Sequence, residues 1–285
     1  MRILVCDAAY PLDLVRATLP SAEVGDVATA GEGVAALLVG PDAPVAGADI
    51  DRMPDLRVIS TASTGTDHID VAAAERRGIA VRNAVGYCTE EVADHALALV
   101  VSMRRGIPVY DRSVQAGAWD WLAFGLPPRL AGTRLGIVGW GRIGRRLAEK
   151  AQGLEMDVRW FDPLVDGGEP ELDALLRWAD VVSLHAPLTP DTEGLIDEAR
   201  LAMLKPGAIL VNTARGQLID REALKRATHI RAALDTVWEK PPAHDLRGLD
   251  HVVLTPYVAW LSPETELVPY RLAAEAVADE LSLVS

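Results

Sequence analysis

Six short apolar runs, "RLGIV", "DVRWF", "DVVSL", "AILVN", "IRAAL" and "HVVLT", recur between residues 134 and 255, with helix-like sequence in the intervals. They are β-branched and alternate little, which is the pattern of strands covered on both faces. That restricts the chain to a parallel sheet wound with helices, and six strands are the count of a full dinucleotide-binding fold. In the first hundred residues the βα rhythm returns with weaker strands at "RILVC", "AALLV", "LRVIS" and "IAV", punctuated by Pro and Gly clusters such as "VGPDAPVAG". A chain of 285 residues, 49% of them hydrophobic, exceeds what one core usually organises. The expectation is an α/β chain of two lobes, the smaller one first.

Between the lobes lies "TEEVADHALALVVSMRRGI", whose continuous apolar face predicts a buried connecting helix, with Glu90 and Glu91 at its positive end. The final segment, "SPETELVPYRLAAEAVADELSLV", predicts a helix capped by Ser262, with Pro263 at its first position and a kink at Pro269.

Charge narrows the partners. With 28 basic against 41 acidic residues the formal charge is -13, which repels phosphate backbones and anionic membrane surfaces. Neither nucleic acid nor a membrane is an expected partner, and an acidic substrate would need a local cationic site. The apolar run Ile3 to Cys6 is ended by Asp7, too short for a signal peptide, and no uncharged stretch is long enough to span a bilayer. Cys6 and Cys88 read as reduced thiols of a cytoplasmic protein. Histidines, cysteines and carboxylates lack ligand-like spacing, so no metal is expected.

The segment "GWGRIG", Gly139 to Gly144, follows "RLGIV" directly and opens the helical pattern "RRLAEKAQGL". Gly139 permits a tight turn, Gly141 lets the backbone approach a pyrophosphate, and Gly144 lets helix and strand pack closely. A bare glycine triplet is a weak signal. The next strand ends in Asp162, 18 residues after Gly144, where a carboxylate can take both hydrogens of an adenosine ribose diol and would repel a 2'-phosphate. NAD is favoured over NADP. Arg159, on the same strand, reads as a solvated side chain.

The segments "GIVGWGRIGRRLAEKAQGLEMDVRWFDP", "HAPLTPDTEGLI", "MLKPGAILVNTARGQLID" and "RAALD" resemble the D-isomer-specific 2-hydroxyacid dehydrogenase family, as do "STGTDHIDVAAAERRGIAV" and "NAVGYCTEEVADHALALV" in the first lobe. The likeness is collinear and covers nearly the whole chain. It implies a six-stranded Rossmann NAD domain, residues 95–263, inserted into a flavodoxin-like substrate domain of residues 1–94 and 264–285, with a cleft that closes over substrate. It also implies an NAD-dependent oxidoreductase acting on a small anionic 2-hydroxy or 2-oxo acid, and a homodimer formed through the NAD domains. Trp119, Trp121 and Phe124 would suit that interface, or would fill the interior of the domain. Arg215, in "NTARG", falls just after the fourth strand and can grip a substrate carboxylate with two parallel hydrogen bonds while polarising the adjacent carbonyl. Ser63, Thr64 and Gly65 match a second carboxylate grip made of backbone N–H groups. Thr213 and Asp235 match positions at the nicotinamide end, and Arg142 and Ile143 match residues whose backbone lies on the pyrophosphate.

The pattern breaks at one pair. The family's proton carrier is a histidine in a Pro-His-hydrophobic-small run, held by a glutamate; here those positions read Tyr257 and Lys240. Histidine's unperturbed pKa lies near neutrality and tyrosine's at about 10. The carboxylate that would stabilise an imidazolium has, however, become an ammonium, the charge that stabilises a phenolate. The reading is that Tyr257, assisted by Lys240, handles the hydroxyl proton, unless "DTVWEKPP" loops so that Glu239 points inward. The alternative is a catalytically silent NAD(H)-binding sensor or scaffold. His244 and His251 read as solvated, His185 as ordering a turn beside the cofactor, and His95 as packing within its helix. For His68, in the substrate lobe, a structural role is also expected. Cys88 and Trp260 suggest a reshaped pocket, open to an acid other than an ordinary 2-oxo carboxylate, including a phosphonate.

Overall fold

The computed structural model describes residues 1–239 and 246–282. In chain order the elements begin with β1 (Arg2–Val5), α1 (Leu12–Thr18), β2 (Ala22–Val24), β3 (Val34–Val39), α2 (Gly47–Asp51), β4 (Val58–Thr61), α3 (Val71–Arg76) and β5 (Ala80–Asn83). There follow α4 (Thr89–Arg104), α5 (Ile107–Gln115), β6 (Arg134–Val138), α6 (Arg142–Gln152), β7 (Asp157–Phe161), α7 (Leu172–Trp178) and β8 (Val181–Leu184). The last are α8 (Glu198–Met203), β9 (Ile209–Asn212), α9 (Arg221–Arg226), β10 (Arg231–Leu234), β11 (Val252–Leu254) and α10 (Val268–Glu280). They divide into two compact units: Met1–Tyr87 with the described residues from Ser262 onward, and the described residues of Cys88–Leu261.

The first unit is a five-stranded parallel sheet in the order β2-β1-β3-β4-β5, the flavodoxin-like winding. Its strands alternate between two buried faces: Ile3 and Val5 join Val15 and Leu19 of the α1 region and Ala273, Ala274 and Val277 of α10, whereas Leu4 packs with Ile50, Met53 and Ala74 on the other side. The C-terminal helix thus supplies one face of the first unit's core. It begins later than the sequence predicts. Pro269 sits in its first turn, where a missing N–H costs nothing, and does not kink it; Ser262 instead caps a separate turn, accepting from the Thr265 N–H at 3.2 Å.

The second unit is a six-stranded parallel sheet in the order β11-β10-β9-β8-β6-β7. One face packs on α4 and α6 through Ala93, Ala96, Val100, Leu147 and Ala151, the other on α7, α8 and α9 through Leu175, Leu201 and Leu224. Helices on both faces explain the near-continuous apolar strands. The strand order reverses between β6 and β8, the switch point where ligands of such sheets bind. Beyond β7 the free edge is met by a loop, with the Glu169 N–H donating to the Trp160 carbonyl at 2.8 Å. Among the described residues no helix is long and apolar enough to cross a membrane.

Candidate active site

Each strand of the second unit is followed directly by a residue fit for recognition or close approach: Gly139, Asp162, His185, Thr213, Asp235 and Thr255. Four of them extend the ladder one step past the strand ends. Gly139 donates to Phe161 O at 2.9 Å, His185 to Val138 O at 2.7 Å, Asp235 to Asn212 O at 3.0 Å and Thr255 to Leu234 O at 2.9 Å. The carboxyl edge of the sheet is therefore a rigid row of anchors.

At the switch point Gly139 has φ +98°, and a Cβ there would lie 2.6 Å from the His185 carbonyl carbon, so only glycine fits between β6 and β8. A Cβ on Gly144 would lie 2.2 Å from the Gly139 carbonyl oxygen, while one on Gly141 would meet nothing within 4 Å. The loop is closed toward the protein and open at Gly141, where α6 begins with Arg142 and Ile143 and presents backbone N–H groups at its positive end. Asp162 braces the same loop, accepting from Trp140 N at 2.8 Å and from Leu164 N at 2.9 Å. Trp140 stacks on Trp160 at 4.7 Å. Arg159 turns to Glu169 at 2.9 Å and lies over Trp178 at 4.4 Å, away from a phosphate-binding role. His185 donates to or accepts from Ser183 Oγ at 2.9 Å, and burial pushes its pKa down to about 4, so it is a neutral brace of the turn.

Thr213 is 8% exposed, and its hydroxyl has no hydrogen-bond partner among the described residues. A buried hydroxyl left unpaired at a ligand edge fits a bound polar group. Thr236, 3% exposed, has the same orphan hydroxyl, which no sequence pattern marked.

Arg215 lies in the turn after β9. Asn212 fixes that turn with both ends of its amide, accepting from Ala214 N at 3.0 Å and donating to Arg215 O at 2.7 Å. Gly216, which sequence reasoning passed over, is required here: a Cβ would lie 2.5 Å from the Val237 carbonyl carbon, so the turn after β9 lies against the one after β10. Trp238 Nε1 ties the two by donating to Ile219 O at 3.0 Å. Glu239 pairs with Arg221 at 3.3 Å and its side chain is half exposed, so it serves α9. Lys240 and His244 lie outside the described residues.

Tyr257 sits in the loop after β11 with φ +59°, a left-handed conformation that costs a non-glycine residue about 1 kcal/mol or more. The loop is held on both sides of it. The Asp235 carboxylate, 2% exposed, accepts from Thr255 Oγ1 at 2.6 Å, Val258 N at 3.0 Å and Ala259 N at 2.9 Å, and Trp260 Nε1 donates to Tyr257 O at 3.1 Å. His95 is not merely packed in its helix: its Nε2 is 3.1 Å from Thr255 Oγ1. His251 faces Leu224 O at 3.3 Å and belongs to the α9 side.

In the first unit the loop after β4 has its carbonyls occupied: Ser63 O by Ala84 N at 3.0 Å, Thr64 O by Asn83 Nδ2 at 2.6 Å and Gly65 O by Ser63 Oγ at 2.6 Å. His68 Nε2 and Thr61 Oγ1, 3.1 Å apart, continue this chain to Ser63 at 3.0 Å. No described residue accepts from the Ser63, Thr64 or Gly65 N–H groups.

A cavity of about 400 Å³ lined by Arg134, Asp157, Val158, Arg159 and Trp178 lies at the opposite edge of the six-stranded sheet, where β6 and β7 begin, and includes none of the predicted site residues.

Residues 97–259 match the family model described as D-isomer specific 2-hydroxyacid dehydrogenase, NAD binding domain. The chain is 38% identical over 251 residues to a glycerate dehydrogenase of Methylorubrum extorquens, covering 84% of this chain and 77% of that one. It is 38% identical over 242 residues to a D-3-phosphoglycerate dehydrogenase of Archaeoglobus fulgidus, covering 80% of this chain but only 46% of that longer protein. Among solved structures, D-lactate dehydrogenase from Aquifex aeolicus, complexed with NAD and lactic acid, superposes with a TM-score of 0.89 at 25% identity, covering 99% of this chain and 96% of that one.

Proposed function

Because the chain belongs to the D-isomer-specific 2-hydroxyacid dehydrogenase family, we propose that it exchanges hydride between NAD and a small anionic 2-hydroxy or 2-oxo acid, with Arg215 gripping the anion. It is an oxidoreductase of CH–OH groups that uses a nicotinamide dinucleotide. The observation that carries the reading is the carboxyl edge of one sheet, which holds the glycine loop and Asp162 at one end of the row and Arg215 and the strained Tyr257 loop at the other.

The fit to a dinucleotide is physical. Gly141, with open space where a Cβ would be, and the first N–H groups of α6 at Arg142 and Ile143 suit a pyrophosphate, while Asp162 suits a ribose diol. The orphan Thr213 hydroxyl suits the nicotinamide end, while the Asp235 carboxylate is engaged by Thr255, Val258 and Ala259. Bound there, the nicotinamide supplies or accepts the hydride. Arg215 orients the carboxylate and draws electron density from the neighbouring carbonyl, and Tyr257, with Lys240 as its proposed aid, gives or takes the hydroxyl proton. In the first unit the N–H groups of Ser63, Thr64 and Gly65 suit a carboxylate as well.

The test is a panel of small 2-oxo acids and oxo phosphonates with NADH, read as loss of NADH absorbance, with Tyr257→Phe alongside. Turnover of at least one acid is expected, with kcat lowered about 100-fold or more in the variant. NADH binding without turnover across the panel would favour the silent sensor. An unimpaired Tyr257→Phe would remove Tyr257 from the chemistry.

A further inference from the structure

His95 and Tyr257 belong to the same unit, and a directed chain of hydrogen bonds runs from His95 to the backbone that follows Tyr257. Thr255 Oγ1 is 2.6 Å from Asp235 Oδ1 and 3.1 Å from His95 Nε2. A hydroxyl has one hydrogen. An ionised carboxylate can only accept, so Thr255 gives its hydrogen to Asp235 and must receive one from His95. The histidine therefore carries a hydrogen on Nε2, which also lies 3.6 Å from Asp235 Oδ1. The carboxylate so engaged is the group that accepts from Val258 N and Ala259 N, the two backbone donors that follow Tyr257. Removing the His95 donor would leave Thr255 Oγ1 with no hydrogen to accept, free to rotate away from Asp235. A tyrosine at φ +59° depends on such bonds, because left-handed backbone persists only where its surroundings over-determine it.

We propose that His95 is a positioning residue: through Thr255 and Asp235 it holds the Thr255–Ala259 loop in the shape that presents Tyr257 for proton transfer. This rests on the reading of Tyr257 as the proton carrier.

The experiment compares His95→Leu, His95→Gln, Thr255→Val and Tyr257→Phe in the full-length protein. It measures kcat and KM for the best acid of the panel, NADH dissociation constant by fluorescence, and melting temperature. His95→Leu should lower kcat about 10- to 100-fold, while the NADH dissociation constant stays within about threefold and the melting temperature changes little. His95→Gln, whose amide N–H can stand where Nε2–H does, should recover most of kcat. Combining His95→Leu with Thr255→Val should cost no more than the worse single change, as expected for one shared network. If His95→Leu fails to fold, Thr255→Val alone must show the kcat loss. The proposal is overturned if kcat survives in His95→Leu or Thr255→Val while Tyr257→Phe loses it, or if His95→Gln is as poor as His95→Leu. Full activity in Tyr257→Phe would overturn the reading of Tyr257 and this inference with it.

Discussion

His185 shows how much one buried side chain can contribute at the switch point. It is neutral in the folded protein because burial pushes its pKa down to about 4 from an ordinary 6.5. Between those values the unfolded chain binds the extra proton and the folded chain does not. Stability is therefore complete above about pH 6.5 and is lost as pH falls toward 4, by at most ~3 kcal/mol. Urea unfolding at pH 7 and pH 5 checks this: the wild type should lose more stability than His185→Gln over that interval, and equal losses would contradict it. The places of Gly139, Gly144, Asp162 and Arg215 in the fold were legible in the sequence because each stands in a short local motif next to a recognisable strand. Thr255 and His95 were not, since their link joins residues 160 apart in the chain and exists only once β11 is laid beside β10 and α4 against the sheet.

Among the elements, the strands were readable wherever both faces are buried. The three-residue β2 escaped because only Ala22 is buried and Glu23 and Val24 face water, leaving no apolar run to see. The nine-residue α5 escaped for the same reason, having no buried residue; Gly106, at φ +68°, separates it from α4. The glycines that matter most to the site act between elements, and Gly216 is the clearest. Gly216→Ala would push the turn after β9 off the Val237–Trp238 backbone, moving Arg215 with it. The expected outcome is a kcat/KM for the acid lowered about 100-fold, since misplacement by about 1 Å costs that much, with NADH binding within about threefold of wild type. Steady-state kinetics with a NADH titration would reveal either result.

Among the described residues, several large apolar side chains stand exposed in the stretch after α4. The stretch after α4 exposes Ile107 at 53%, Trp119 at 91%, Trp121 at 75% and Leu126 at 80%, whereas Phe124 turns inward under Arg231 at 4.3 Å. The three aromatics are thus divided, Phe124 half-buried and the two tryptophans exposed. Exposed tryptophans of this kind suit an interaction surface, and we propose a second copy of the chain as its occupant. Light scattering should give the mass of a dimer for the wild type and of a monomer for Trp119→Ser with Trp121→Ser; a wild-type monomer would contradict it. The central claim, that one sheet edge joins a dinucleotide to an anion held by Arg215, is tested most directly by the kcat/KM of Arg215→Gln for the best 2-oxo acid at saturating NADH. A fall of about 100- to 1,000-fold is predicted, the cost of removing a charged two-pronged grip, with NADH affinity unchanged. A kcat/KM equal to that of the wild type would contradict it.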